Sequence, residues 1–209
     1  FSFLLAIGCG GGGMNTNPGT SGSGIITKPE PEYCSNVRSV SNPFTVTGRA
    51  NFYYRVGTYA SGLVGNPVAG PGIPYAEISV ATLSGIVVQC GQTDATGNFS
   101  IQVPNSAGTY YVNVFSRANN SMLKVSVLDD INNNMPYSIS STFTISSGNS
   151  STNVGTFYAF ARSSEASRIE GGAFNIFYQI YKTNDYIRTQ TSNPSWVADK
   201  VIAYWKAGF

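Results

Sequence analysis

Histidine is absent from the 209 residues, and that absence removes a Ser-His-Asp triad, a Cys-His pair and a His-Glu-x-x-His zinc site at one stroke. Cysteine is scarce, with three in the chain, too few for a zinc site of cysteines alone once one serves another purpose. Charged residues make up 11% of the sequence and the formal net charge is +2, without the basic clustering of a nucleic-acid footprint. Beyond the first residues, no apolar run reaches the roughly 18 residues that span a bilayer as a helix. Asp129 and Asp130, followed by Asn132, Asn133 and Asn134, form the one acidic and amide cluster. They lack the turn glycine and distal glutamate of a calcium loop and are expected to be a polar turn between strands. Glu165 and Glu170 have no neighbourhood that fixes the separation a glycosidase pair needs, so they are assigned to a linker. No catalytic residue, metal ligand or cofactor follows from these residues.

What the chain does contain begins at its N-terminus. Phe3-Leu4-Leu5-Ala6-Ile7-Gly8 leads into Cys9, and Gly10 to Gly13 follow. An apolar stretch that ends in a small residue and a cysteine resembles the lipobox of bacterial lipoproteins, with Ala6 where leucine is usual. The resemblance implies acylation of Cys9 and removal of the signal peptide before it. The expected partner is then a membrane, reached through a lipid at Cys9, with the protein outside the cytoplasm on an outer membrane or cell surface. Residues 1–8 would be part of a signal peptide, since neither Met nor a basic region opens them. The apolar run from Val201 to Phe209 likewise stops without the polar tail usual at a domain end, as though cut.

With Cys9 set aside, Cys34 and Cys90 remain. An even pair in an oxidising compartment favours a disulfide, and two buried free thiols are the alternative. From Gly10 to about Pro43 the chain is rich in Gly, Ser, Asn, Thr and Pro. Such a stretch buries too little apolar surface to offset its ordering entropy and is expected to be a tether.

From Phe44 the period becomes two. Phe44, Val46, Gly48, Ala50, Phe52 and Tyr54 fall on one side of a strand, and Thr45, Thr47, Arg49, Asn51, Tyr53 and Arg55 on the other. A Gly- and Pro-rich loop is expected over 57–74, then strands over 76–80 and 86–90 around the Ser84-Gly85 turn. In Thr93-Asp94-Ala95-Thr96-Gly97-Asn98-Phe99, Asp94 can accept backbone N–H bonds and Gly97 can take the left-handed conformation, which predicts a hairpin whose second strand points Phe99 inward. Further strands are expected at 110–115, 123–128, 143–145 and 154–160. Tyr53-Tyr54, Tyr110-Tyr111 and Tyr158 could group into a sugar platform, although alternation places one of each pair inside.

Thr47-Gly48-Arg49, the strand at Ala76 to Val80, and the Thr93, Asp94, Gly97 and Phe99 turn motif resemble the carboxypeptidase regulatory-like domains, a transthyretin-like or Cna-B-like sandwich, over about residues 44–127. The resemblance implies a spacer or accessory module, and fold alone does not fix activity. After about Ser163 a helix is expected, with Ala173, Ile176, Phe177, Ile180 and Ile187 on one face and Lys182, Asp185 and Arg188 largely off it. This stretch resembles the segment that precedes a zinc-peptidase region in secreted bacterial proteins.

The expectation is therefore a mainly β chain, an antiparallel seven-stranded Ig-like or transthyretin-like sandwich over 44–162. A lipid-anchored tether over 9–43 precedes it, and the helix and strand of a truncated α/β domain over 163–209 follow. The implied role is non-catalytic, as the N-terminal accessory part of a larger zinc peptidase whose catalytic domain is missing. A cell-surface adhesion or carbohydrate-binding module, with a glycan as partner, is the alternative.

Overall fold

The computed structural model describes residues 28–34, 37–58, 62–63, 66–161 and 169–206. The chain forms β1 (Pro43–Tyr54), a short ribbon of β2 (Gly57–Thr58) and β3 (Gly62–Leu63), β4 (Val68–Gly72), β5 (Glu77–Thr82) and β6 (Val87–Gln92). It continues through β7 (Asn98–Pro104), β8 (Gly108–Phe115), β9 (Arg117–Asn119), β10 (Lys124–Leu128), β11 (Ser138–Ile145) and β12 (Ser151–Ala159), then helix α1 (Gly171–Gln190) and β13 (Val201–Tyr204). The protein is mainly β, with one helix among the described residues and mostly antiparallel sheets.

The alternation in β1 organises the first sheet. Phe44, Val46, Ala50 and Phe52 are all at most 1% exposed, because a period of two sends every second side chain to one face. One edge of β1 pairs with β12, and the other is shared by β7 along its first half and β4 along its second. A second sheet runs β11-β8-β5-β6 and a third β13-β10-β9. The first two sheets meet through one apolar cluster, where Phe44 of β1 stacks on Phe143 of β11 with ring centroids 6.3 Å apart.

Four expectations are corrected by this arrangement. The pairing is not purely antiparallel: β12 runs parallel to β1 and β13 parallel to β10, because each pair is joined by a long excursion rather than a turn. The 57–74 segment is not all loop, since β4 completes the edge of β1. The turn at 93–97 forms, but its flanking strands enter different sheets, β6 with β5 and β7 with β1, so it is a corner between layers rather than a hairpin. Finally, the helix and last strand do not stand apart from the sandwich. Ala173, Phe174 and Phe177 are fully buried in the same core cluster as Phe52 and Val125, and Tyr178 packs on Phe52 with ring centroids 5.5 Å apart. Arg188, placed off the apolar face by the sequence, is buried and donates to the Met122 and Trp196 carbonyls. The first orphan N–H of the helix, at Gly171, is satisfied by the Phe160 carbonyl at 2.7 Å.

The tether expectation shortens as well. Residues 28–34 and 37–42 form a strap tied to the body: Asn134 donates to the Lys28 carbonyl, Arg38 exchanges backbone bonds with the Gln89 amide, and Asn105 donates to the Asn42 carbonyl at 3.1 Å.

The corner is packed without room for a methyl group. Gly97 has φ +84°, and a Cβ on Gly72 would lie 1.8 Å from the Thr96 carbonyl oxygen. Gly72→Ala is therefore expected to destabilise the protein by about 3 kcal/mol or more through overpacking against backbone. Gly85→Ala, in open space at φ +84°, should cost only about 1 kcal/mol of backbone strain. Urea midpoints of the two variants measure the difference, and equal midpoints would contradict the close-packed corner.

Candidate functional site

The densest polar chemistry among the described residues lies where the strap crosses the outer faces of β5, β9 and β10. Ile78 and Val80 face the core, so Glu77 of β5 faces outward toward Arg117 of β9. Both side chains are nearly inaccessible, Glu77 at 6% and Arg117 at 4% exposed. A buried charge is tolerable only when paired and hydrogen-bonded, and this pair is bidentate: Arg117 Nε donates to Glu77 Oε2 and Nη2 to Oε1, each at 2.7 Å. Nη1 donates to the Pro31 carbonyl and Nη2 to the Glu32 carbonyl, again at 2.7 Å. The Tyr33 and Phe115 rings lie 4.6 and 5.3 Å from the guanidinium carbon, close enough for cation–π attraction.

A second ring of contacts extends the cluster. Ser126 Oγ donates to Glu30 Oε1 at 2.6 Å; its single proton is then used, so the Tyr33 hydroxyl donates to Ser126 at 2.6 Å. Glu30 also accepts from Lys200, whose ammonium sits 4.8 Å from the Tyr33 ring. Burial pushes the Tyr33 hydroxyl pKa up. Burial works the other way on Lys200, but its bonds to Glu30 and Tyr33 outweigh it and raise the ammonium above its ordinary range. The Cys34 N–H donates to Glu77 Oε1 at 3.0 Å, linking the cluster to the Cys34–Cys90 disulfide, whose Cα atoms are 5.5 Å apart. The bridge closes a segment of 56 residues, which the chain-entropy model values at roughly 4 kcal/mol. The polar groups here are turned on one another. Chemically the arrangement is a clasp that fixes the strap.

The residues singled out from the sequence fall elsewhere. Cys9 and Glu165 lie outside the described residues. Thr93 is buried at the corner, donating to the Ile73 carbonyl at 2.6 Å and accepting from the Ala76 N–H at 2.8 Å. Asp94 Oδ1 accepts from the Thr96 N–H, the Thr96 hydroxyl and the Asn98 N–H at 2.7, 2.8 and 3.0 Å. Slight burial pushes the Asp94 carboxyl up, but these bonds hold it below the usual carboxylate range. Phe99 points into the core at 6% exposure.

Asp129 and Asp130 form the turn between β10 and β11. Asp129 accepts from the Asp130 and Met135 N–H groups and the Asn133 amide, and Asp130 from the Asn132 and Asn133 N–H groups. The described residues contain no group of three or more His, Cys, Asp or Glu able to hold a metal. Glu170 is half-buried just ahead of α1. Together with Asp129 and Asp130 it adds to the effect of burial on Tyr137, pushing its pKa up to about 12. That hydroxyl donates to the Trp205 carbonyl at 2.6 Å.

The tyrosine pairs alternate as expected for Tyr110, which is buried and stacked on Phe143, and Tyr111, which is 37% exposed. Tyr53 meets Tyr158 and Phe160 at centroid distances of 5.1 and 5.7 Å. Sequence reasoning missed the clasp: Glu30, Tyr33, Glu77, Arg117 and Lys200. A signal was present, because Glu77 and Arg117 are charged residues inside apolar stretches of a chain poor in charge, and such residues need partners.

No family model and no curated protein matches the chain. Among solved structures it is similar to the crystal structure of a 9R-lipoxygenase from Cyanothece PCC8801, at 15% identity and a TM-score of 0.33, over 80% of this chain and 27% of that one. The chain thus spans about a quarter of that protein's length, and a likeness this distant carries no functional argument.

Removing one partner of a buried ion pair leaves the other charge stranded. Arg117→Ala is expected to lower stability by about 3–5 kcal/mol. Lys200→Ala, at a more exposed pair, should cost about 1 kcal/mol or less. Urea denaturation of both variants checks the ranking, and an Arg117 variant as stable as the parent would dissolve the clasp argument.

Proposed function

We propose that the chain is a non-catalytic spacer or accessory part of an exported bacterial lipoprotein, a carboxypeptidase regulatory-like sandwich held to a membrane by lipid at Cys9. The observation that carries this reading is the Cys34–Cys90 disulfide. Such bonds persist in oxidising compartments and are rare in the cytosol. This one joins the strap that follows Cys9 in sequence to β6, so a pull on an anchored N-terminus passes into the sheet rather than into the strap alone. The further step, that the module presents a zinc-peptidase domain encoded beyond Phe209, rests on the resemblance of residues 163–209 and requires a His-Glu-x-x-His in the continuing frame. Radiolabelled palmitate should enter the chain when it is expressed behind a Met and basic region that complete the signal peptide, in a bacterium with lipoprotein processing, and be lost in Cys9→Ser. Equal labelling of the two, or none in either, removes the anchor.

A second reading is favoured by one observation. Tyr53, Tyr158 and Phe160 meet at the β1–β12 seam, the grouping of aromatic rings that a sugar-stacking platform needs. A surface glycan would then be the ligand and adhesion the role. Saturable binding on a polysaccharide array, lost in Tyr53→Ala, is the expected result for that role, and a blank array leaves the spacer.

A further inference from the structure

The hairpin joining β5 to β6 presents an apolar tip. Leu83 is 60% exposed, Ile86 65% and Val87 42%, and a Cβ on Gly85 would meet nothing within 4 Å, so the tip projects from the body. No charged residue occurs from Ile78 to Thr93. The turn also bonds several of its own polar groups internally. Thr82 N–H donates to the Ile86 carbonyl and Gly85 N–H to the Thr82 carbonyl, both at 2.9 Å. Ile86 N–H donates to the Thr82 hydroxyl at 3.2 Å, and that hydroxyl pairs with Ser84 Oγ at 2.8 Å. The strap brings Val37, 74% exposed, to the same strand, because its neighbour Arg38 is bonded to Gln89 of β6.

We propose that this tip inserts into the interfacial layer of a phospholipid bilayer. A projecting, uncharged tip with the N–H groups of Thr82, Gly85 and Ile86 bonded within the turn lowers the cost of entering a bilayer, where an unsatisfied N–H or C=O costs several kcal/mol. Apolar side chains at such a tip gain by leaving water. A protein strand adding to β6 finds the edge obstructed instead, since the Gln89 side chain there accepts from the Cys90 N–H at 3.1 Å and donates to the Arg38 and Gln102 carbonyls at 2.9 Å. The proposal rests on the membrane location given above and adds an orientation to it. An inserted tip fixes which side of the body faces the membrane, which a lipid at Cys9 alone does not specify.

The test uses the full chain carrying Cys9→Ser, so that it stands whether or not Cys9 is acylated. An environment-sensitive fluorophore on Ser84→Cys should shift to the blue when phosphatidylcholine vesicles are added. The same label on Ala95→Cys, in the exposed turn at the opposite end of β6, should not shift. Replacing Leu83 and Ile86 together by Asp in the Ser84→Cys protein should weaken the vesicle-dependent shift at least about tenfold in lipid concentration. Vesicles of equal parts phosphatidylcholine and phosphatidylglycerol should give the same ranking. An unshifted label at position 84, or an affinity unchanged by the two Asp substitutions, overturns the proposal. A blue shift that grows with protein concentration in the absence of vesicles overturns it too, by assigning the tip to self-association.

Discussion

A guanidinium group with 4% of its side chain exposed has to be answered by the rest of the molecule, and Arg117 is answered from segments far apart in sequence. Glu77 supplies the hydrogen-bonded counter-charge and Glu30 a second carboxylate 3.9 Å away, while the carbonyls of Pro31 and Glu32 accept from Nη1 and Nη2. Stranding such a charge costs several kcal/mol, comparable with the whole stability of many domains. The strap therefore has one place to lie. Once there, it sets Cys34 against Cys90 and offers Glu30 to Ser126 and Lys200. The covalent bond and the ion pair reinforce each other, since each limits the freedom the other must overcome.

The two layers are coupled by a different device. At the corner, the chain leaves β6 and enters β7 through a turn in which Asp94 gathers three donors and Thr93 bonds to both Ile73 and Ala76. Those last two residues flank the route from β4 to β5, the other crossing between the same sheets. The crossings brace each other side by side, with Gly97 against Gly72. The helix then covers the end of this assembly, seating Phe174 and Phe177 in the same core and placing Tyr181 against Tyr75 beside the corner, with ring centroids 5.8 Å apart.

Local features were legible in the sequence because local chemistry determines them. The two-residue period from Phe44 to Tyr54 fixed the face of β1, the Asp94 and Gly97 pair marked the turn, and apolar spacing marked α1 to within a residue or two of its ends. What could not be read was which distant segments meet. An alternating strand looks the same whether its partner runs parallel or antiparallel, so the parallel alignment of β12 on β1 was hidden. Pro31 and Glu32 contribute through main-chain oxygens, which every residue has, and so left no trace in side-chain chemistry. Arg188 was misplaced because the helical face was drawn from apolar residues, while its guanidinium finds carbonyls of Met122 and Trp196 under the helix C-terminus.

The parallel pairing of β1 with β12 also imposes an order of events. Thr45 lies opposite Ser151 and Phe52 opposite Ala159, so the first long strand keeps one edge open until the chain has reached β12, more than a hundred residues later. Contacts this distant in sequence make folding slow relative to helical or hairpin-rich proteins. β13, the last strand in sequence among the described residues, completes the separate β13-β10-β9 sheet alongside β10. A chain built this way stays incomplete while its C-terminal segments are still being made, which suits any route that must move it unfolded before it settles.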